Sequence, residues 1–277
     1  MNSLVKETLD RLVTEIESGK NPWRKSWKGG GGMPTNGVTG HTYRGINTLL
    51  LWVAGERAGY SSNRWATFKQ WQEKGRAVQK GSKGTTILFY KILERGEGED
   101  KSSFPMMRCS WLFNEWQLEG GAEEPGPEPT PEERHVRALA WTSTLGIKVG
   151  QGAPAYIPGI DELRMPMPGD FTDLDEYWAS YFHEAVHWTG HKSRLDRPMV
   201  FDKSDIKYAA EELVAEIGAA FLNAEFGIDT AENNAAYLRH WLGQFTDKRE
   251  AIFSAAKQAS RAFEFLTVQP VQLEEAA

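Results

Sequence analysis

Apolar positions recur at helical spacing from the start of the chain. Leu4, Val5, Leu9, Leu12, Val13 and Ile16 share one face of a 3.6-residue repeat, and Gly19 supplies a stop. The next stretch, "NPWRKSWKGGGGMPTNGVTG", is rich in Gly, Pro and Asn and reads as a loop carrying Trp23 and Trp27. Short helices are expected over "GINTLLLWVAGERAG" and "NRWATFKQWQEKG", the second opened by Ser62 or Asn63. The pattern then changes. "TTILFYKIL" and "RCSWLFNEWQL" are β-branched and aromatic and read as strands, with "ERGEGEDKSS" as a hairpin or loop excursion between them. "EGGAEEPGPEPTPEER", Glu119 to Arg134, holds almost nothing apolar and is expected not to order itself.

That stretch divides the chain into residues 1–120, a linker at 121–134, and residues 135–277. The expected class is α+β with two domains, the first mixed α/β, the second mostly helical apart from a short strand pair in "AYIPGIDELRM". No internal repeat is visible. In the second domain, Leu174, Trp178, Tyr181 and Phe182 keep helical spacing. Thr172 with Asp175, or Asp173 with Glu176, caps that helix, and Gly190 can end it. Another helix, "DIKYAAEELVAEIGAAFLNAEFG", follows Ser204, with Leu213, Ile217, Ala220 and Phe221 marking its core face.

Composition adds limits. At 277 residues, 40% hydrophobic and 25% charged, the chain resembles an ordinary globular protein with room for a sizeable core. The N-terminus has no apolar h-region, and the longest apolar run, near "TLLLWVAG", is too short to span a bilayer. Cys109 is the only cysteine, which excludes an intrachain disulfide and thiolate metal clusters and fits a reducing, cytoplasmic setting. The net charge of −6 conceals an asymmetry: residues 1–120 carry 18 Lys+Arg against 12 Asp+Glu, and the remainder 14 against 26. Between Lys20 and Lys91 there are 13 basic residues and two acidic ones, Glu56 and Glu73. The two domains therefore suit different partners.

In that basic region cations alternate with rings. Trp23, Arg24, Lys25, Trp27 and Lys28 sit together; Arg44 follows Tyr43; Arg64 precedes Trp65; Lys69 lies between Phe68 and Trp71; Lys80 and Lys83 follow. Basic grooves that track phosphates and rings that stack unpaired bases bind single strands, and no spacing suggests groove reading of a duplex. Trp52 and Trp111, inside apolar runs, are expected in the core.

The acidic half holds "YFHEAVHWTGHKSR", with three of the six histidines in nine residues. His183 and His187, four apart on a helix, project from one face and can bind one metal ion. Glu184 can reach a metal-activated water as general base. A plain helix with half-exposed histidines is the alternative, and the spacing together with Glu184 argues against it. His191 cannot join on a continuous helix: eight residues at ~1.5 Å rise separate it from His183 by about 12 Å, against metal–nitrogen bonds of ~2 Å. Glu212 and Glu216 share a face with Ala215 and Ala219, small enough to admit a second helix, and buried carboxylates require a partner or a metal. Glu211 is expected to form a surface pair with Lys207.

"HEAVH" followed by "ELVAE" resembles the glutamate-zincin pattern of thermolysin-like peptidases. The resemblance implies His183, His187 and Glu212 as Zn2+ ligands, Glu184 as general base, and Glu216 as a carboxylate orienting a ligand histidine. The metzincin pattern fits less well, because Ser193 stands where its third histidine would be. More widely, "FHEAVHWTGHKSRLDR" and "YAAEELVAEIGAAFL" resemble the metallopeptidase domain of ArdC-type plasmid antirestriction proteins. "PWRKSW", "PTNGVTGHTYRGIN", "WATFKQWQEKGRAVQKGSKGT" and "FNEWQLEG" resemble the single-stranded-DNA-binding domain those proteins share with TraC-type conjugative primases. The implied function is protection of incoming conjugated DNA from restriction by a single-strand-binding, zinc-dependent peptidase. Its protein substrate would be a restriction component or a DNA-bound protein. The alternative is a shielding protein whose metal domain is structural or vestigial.

Overall fold

The computed structural model describes residues 3–18, 32–95, 102–123, 126–200, 202–229 and 233–267. The chain is α+β and forms two compact units, Met1–Glu128 with Asp247–Phe253, and Pro129–Thr246 with Ser254–Ala277. No helix among the described residues is long and apolar enough to cross a membrane.

In the first unit, helix α1 (Ser3–Glu17) buries Val5, Leu9, Leu12, Val13 and Ile16 along the expected face. Helix α2 (Ile46–Ala58) is apolar on several sides, buries Leu49, Leu51 and Trp52, and ends at the left-handed Gly59. Strands β1 (Thr35–Asn36), β2 (Arg64–Ala66), β3 (Thr85–Arg95) and β4 (Ser102–Asn114) form a sheet in the order β1-β2-β4-β3. β3 and β4 pair antiparallel from Thr85 opposite Leu112 to Arg95 opposite Ser102, while residues 96–101 of the acidic excursion lie outside the described residues. The free edge of β3 is occupied by Asn47, whose side chain donates to Leu88 O at 2.6 Å and accepts from Leu88 N at 2.8 Å. This imitates a neighbouring strand and blunts an exposed edge.

The helix expected over "NRWATFKQWQEKG" is only half there. Arg64–Ala66 is strand β2, and helix α3 covers Phe68–Glu73. Two causes act together. Trp65 and Ala66 are fully buried in the sheet. Thr67 closes a capping box with Gln70, Thr67 Oγ1 accepting from Gln70 N at 3.2 Å and Gln70 Oε1 from Thr67 N at 3.0 Å. Behind α3, Gly37 is obligatory for packing, since a Cβ there would lie 2.2 Å from the Trp71 ring.

The Pro/Gly/Glu stretch is more ordered than its composition suggests. Glu119 N donates to Ala77 O at 2.8 Å, and Glu123 accepts from Arg64 at 2.8 Å. Helix α4 (Pro131–Thr144) starts inside the expected linker because Thr130 and Glu133 form a capping box with Pro131 in the first turn.

The second unit adds strands β5 (Lys148–Gln151), β6 (Ala155–Ile157) and β7 (Glu162–Met165) in the order β5-β7-β6. The β6–β7 pair is the expected one; β5, parallel to β7, was not foreseen in "KVGQ", which is largely exposed. Helices α5 (Leu174–Thr189), α6 (Ile206–Phe226) and α7 (Asn233–Leu242) complete it with the part of α8 (Lys248–Thr267) from Ser254 onward. α5 packs against both α6 and the sheet. Rings of Trp141, Phe182 and Phe226 lie 5.0–5.5 Å apart and seal one end of this core.

Candidate metal centre and nucleic-acid interface

Two helices carry the acidic half's chemistry. Asp173 caps α5 by accepting from Asp175 N at 2.9 Å, and the acidic first turn suits the helix dipole. Asp205 caps α6 in the same way, accepting from Lys207 N at 2.8 Å. The two helices come close where α6 is lined with small residues. Ala215 and Ala219 are buried as expected, but the tightest point is Gly218, where a Cβ would lie 2.7 Å from Val186 Cγ2. Gly190 ends α5 in right-handed geometry, so its smallness serves contact: a Cβ would meet Met199 Sδ at 2.8 Å.

This packing brings His183, His187 and Glu212 together, with one donor atom from each inside a 4.8 Å sphere of mutual distance. His183 Nε2 lies 3.1 Å from His187 Nε2 and 3.5 Å from Glu212 Oε2, and His187 Nε2 lies 3.7 Å from Glu212 Oε1. Metal–ligand bonds of about 2.1 Å in a tetrahedral site set donor–donor edges of about 3.4 Å. The separations are near that value, with the two to Glu212 ending on different carboxylate oxygens, so two imidazoles and a carboxylate converge on a space sized for one divalent ion. His191 is outside the set and shares a 2.7 Å hydrogen bond with Ser193 Oγ.

The outer edges of the imidazoles also face carboxylates. Glu216 Oε1 is 3.6 Å from His183 Nδ1, too long for a hydrogen bond, whereas Glu211 Oε1 is 3.1 Å from His187 Nδ1. Glu211 is therefore not the surface partner of Lys207: it is buried, and Arg197 grips it through Nε at 2.9 Å and Nη2 at 2.7 Å. The reason is rotational. Consecutive residues diverge by about 100° on a helix, so once Glu212 faces the donors, Glu211 faces the far edge of His187.

Burial alone would lower the pKa of His183, but Glu212, Glu216 and Glu184 override it and raise it to about 9. Burial opposes ionisation of Glu212, yet hydrogen bonding and attraction from the histidines bring it down to about 2. Burial pushes Glu216 above the usual carboxylate range. Tyr208, one turn before Glu212, is raised to about 12 by burial and by its hydrogen bond to Glu212. Glu184 is buried and close enough to His183 and Tyr208 for its charge to raise the pKa of both. Tyr208, Glu211 and Arg197 escaped sequence reasoning. For Tyr208 the i−4 spacing to Glu212 was a usable signal; for Arg197 there was none.

The N-terminal candidates divide. Trp23, Arg24, Lys25, Trp27 and Lys28 lie outside the described residues. Tyr43 packs against the Leu51–Trp65 core and donates to Trp65 O at 3.2 Å, a structural position. Arg64 is a strut that reaches Glu123, Glu115 at 3.2 Å and Gly37 O at 3.3 Å. Arg44, Lys69, Lys80 and Lys83 are exposed. Trp52 is buried as expected, but Trp111 is 53% exposed. Its apolar run is a strand, and alternation turns Trp111 outward on the face opposite Leu112. Phe113 shares the Trp111 face, and Phe68 meets Phe113 edge-on with centroids 6.1 Å apart. Gly84 lies beneath these rings, where a Cβ would be 2.9 Å from Trp111 Cβ.

Residues 134–258, which hold the HEAVH helix and the long helix after it, match a family described as zincin-like metallopeptidase. Residues 2–137 match the N-terminal domain of anti-restriction factor ArdC. Crystal structures of the antirestriction protein ArdC from the R388 plasmid superpose with a TM-score of 0.78 in both cases. The metal-free form is 34% identical and the match covers 96% of this chain and 97% of that one. The Mn(II)-bound form is 35% identical, with 99% and 100% covered. The uncharacterized protein y4eC of Sinorhizobium fredii (strain NBRC 101917 / NGR234) is 30% identical over 275 residues, 94% of this chain and 90% of its own length. DNA primase TraC of Escherichia coli is 32% identical over 296 residues, but this chain spans only 27% of it. The chain belongs to the ArdC antirestriction family.

Proposed function

We propose that this protein binds single-stranded DNA through its N-terminal domain and hydrolyses peptide bonds at the His183–His187–Glu212 centre. Acting in the cytoplasm, it would protect incoming DNA from restriction. The observation that carries the reading is the convergence of His183 Nε2, His187 Nε2 and the Glu212 carboxylate, at separations of 3.1, 3.5 and 3.7 Å, with Glu184 close to His183. Zn2+ suits two imidazoles and a carboxylate, and the Mn(II)-bound R388 ArdC is compatible with a divalent ion in this family.

A bound divalent ion would supply Lewis acidity and lower the pKa of a water at the site. His183 and His187 would hold it through Nε2, and Glu212 through its carboxylate. Glu184 would take a proton from the attacking water and deliver it to the nitrogen of the leaving amine as the C–N bond breaks. Tyr208 donates its one hydroxyl proton to Glu212, which helps keep that carboxylate ionised and oriented at the site. Substrates would be proteins close to the DNA, restriction components or DNA-bound proteins.

On the first unit, the exposed rings of Trp111 and Phe68, joined by the half-buried Phe113 and with Lys69 beside Phe68 and Lys83 next to Gly84, form a platform suited to stacked bases flanked by phosphates. Exposed Trp116, Phe89 and Lys80 extend the same chemistry elsewhere on the unit.

Glu184→Ala is the decisive variant. It should retain stoichiometric zinc, because Glu184 is not one of the three converging donors, and lose peptide hydrolysis by two to four orders of magnitude, about 10²–10⁴-fold. A variant that still protects DNA fully from restriction would favour shielding over proteolysis for that task.

A further inference from the structure

His187 is held from both sides by neighbouring residues of one helix. Glu212 approaches its Nε2 edge and Glu211 its Nδ1 edge, with Glu211 Oε1 at 3.1 Å. Glu211 is itself fixed by the buried Arg197, which spends Nε and Nη2 on the two carboxylate oxygens. The same guanidinium donates from Nη1 to Thr189 Oγ1 at 2.8 Å and from Nη2 to Val186 O at 2.7 Å. Arg197 thereby ties Glu211 to the last turn of α5, the turn that carries His187. His183 has nothing comparable, since Glu216 stays 3.6 Å away from its Nδ1.

We propose that Glu211, locked by Arg197, is the positioning residue of the metal centre: it fixes the tautomer and ring plane of His187 so that the Nε2 lone pair faces the ion. This rests on the metal-centre reading given above. An ionised carboxylate can only accept hydrogen bonds, so at 3.1 Å His187 carries a proton on Nδ1, and the neutral ring then leaves Nε2 unprotonated. With His187 neutral, the 3.1 Å contact between the two Nε2 atoms has His183 donating and His187 accepting. The glutamate-zincin pattern assigns the supporting carboxylate to Glu216. Distance and the bonds from Arg197 assign it to Glu211.

Glu211→Gln tests this without changing size. A glutamine has one acceptor oxygen where the carboxylate has two, and two N–H groups of Arg197 compete for it. The amide NH2 then faces His187 Nδ1, which must accept, so the proton moves to Nε2 and blocks it. Two measurements are made. Nitrogen-15 NMR of the histidine rings in metal-free protein should find His187 as the Nδ1–H tautomer in the wild type and shifted towards Nε2–H in Glu211→Gln. Zinc affinity by competition with a chromophoric chelator should fall about 10–100-fold in Glu211→Gln, and less in Glu216→Gln. A folded Glu211→Gln with unchanged affinity would overturn the proposal, as would a larger loss in Glu216→Gln. If Glu211→Gln does not fold, the wild-type spectrum still decides: an Nε2–H His187 refutes the assignment. Neither measurement involves hydrolysis, so a protein that binds zinc but cleaves nothing would refute the peptidase reading without altering these results.

Discussion

Gly218 sets the distance between the helices that carry the metal donors, and its replacement by alanine should change sign with the residue opposite. In the wild type, the new Cβ would lie 2.7 and 2.9 Å from the two γ-methyls of Val186. Overpacking of this kind costs about 1–3 kcal/mol. Alanine in a helix interior gains about 1 kcal/mol over glycine, so Gly218→Ala should destabilise by about 1 kcal/mol net, some 4 °C in melting temperature. Val186→Ala removes both methyls, and the next atom, Val186 Cβ, is 3.4 Å from the position of the new carbon. In that background Gly218→Ala should stabilise by up to about 1 kcal/mol, a coupling of about 2 kcal/mol between the sites. Urea unfolding of the four metal-free proteins, followed by helical circular dichroism, measures it. Zinc affinity should fall in the single Gly218→Ala and recover in the double variant, because the strained contact pushes Glu212 away from His187. The same sign and size of effect in both backgrounds would show that Gly218 does not govern helix approach.

Glu212→Ala should lose most bound zinc, with Glu216→Ala losing less and His191→Ala almost none, read by metal analysis after gel filtration; zinc retained in Glu212→Ala but lost in His191→Ala would transfer the third donor to His191. Replacing Lys69, Lys80 and Lys83 together should reduce the slope of log affinity against log salt for single-stranded DNA by up to about 2, at ~0.7 per phosphate contact; an unaltered slope moves the binding surface off these lysines. Asp161, held at about 2 by hydrogen bonds from Arg194, contributes stability that is present above its unfolded value near 4 and is lost as pH falls through 2. Asp161→Asn suits the left-handed backbone there, φ 51°. Its stability deficit, about 1 kcal/mol at most for so exposed a pair, should close between pH 4 and 2 in acid titrations of unfolding; a deficit constant with pH would separate Asp161's role from its charge.

Local rules carried part of this protein in the sequence alone. The i,i+4 spacing of His183 and His187 fixes them to one face of any helix they occupy, and Asp173, Asp205 and Gly59 act within a turn of their own position. The capping box at Thr130 and Glu133 was equally local but was hidden by the composition around it. Tertiary packing decided the rest. "AAEELVAE" offers three glutamates, and only the rotation of α6, set where Gly218 meets Val186, directs Glu212 to the imidazole nitrogens and Glu211 to the outer edge of His187. Arg197 reaches that network from a connection with no regular pattern, so nothing short-range could announce it. Trp52 and Trp111 both stand inside apolar runs, yet α2 buries one and strand alternation exposes the other. A sequence states which side chains lie on a common face; which face meets a neighbour depends on contacts between residues far apart in the chain.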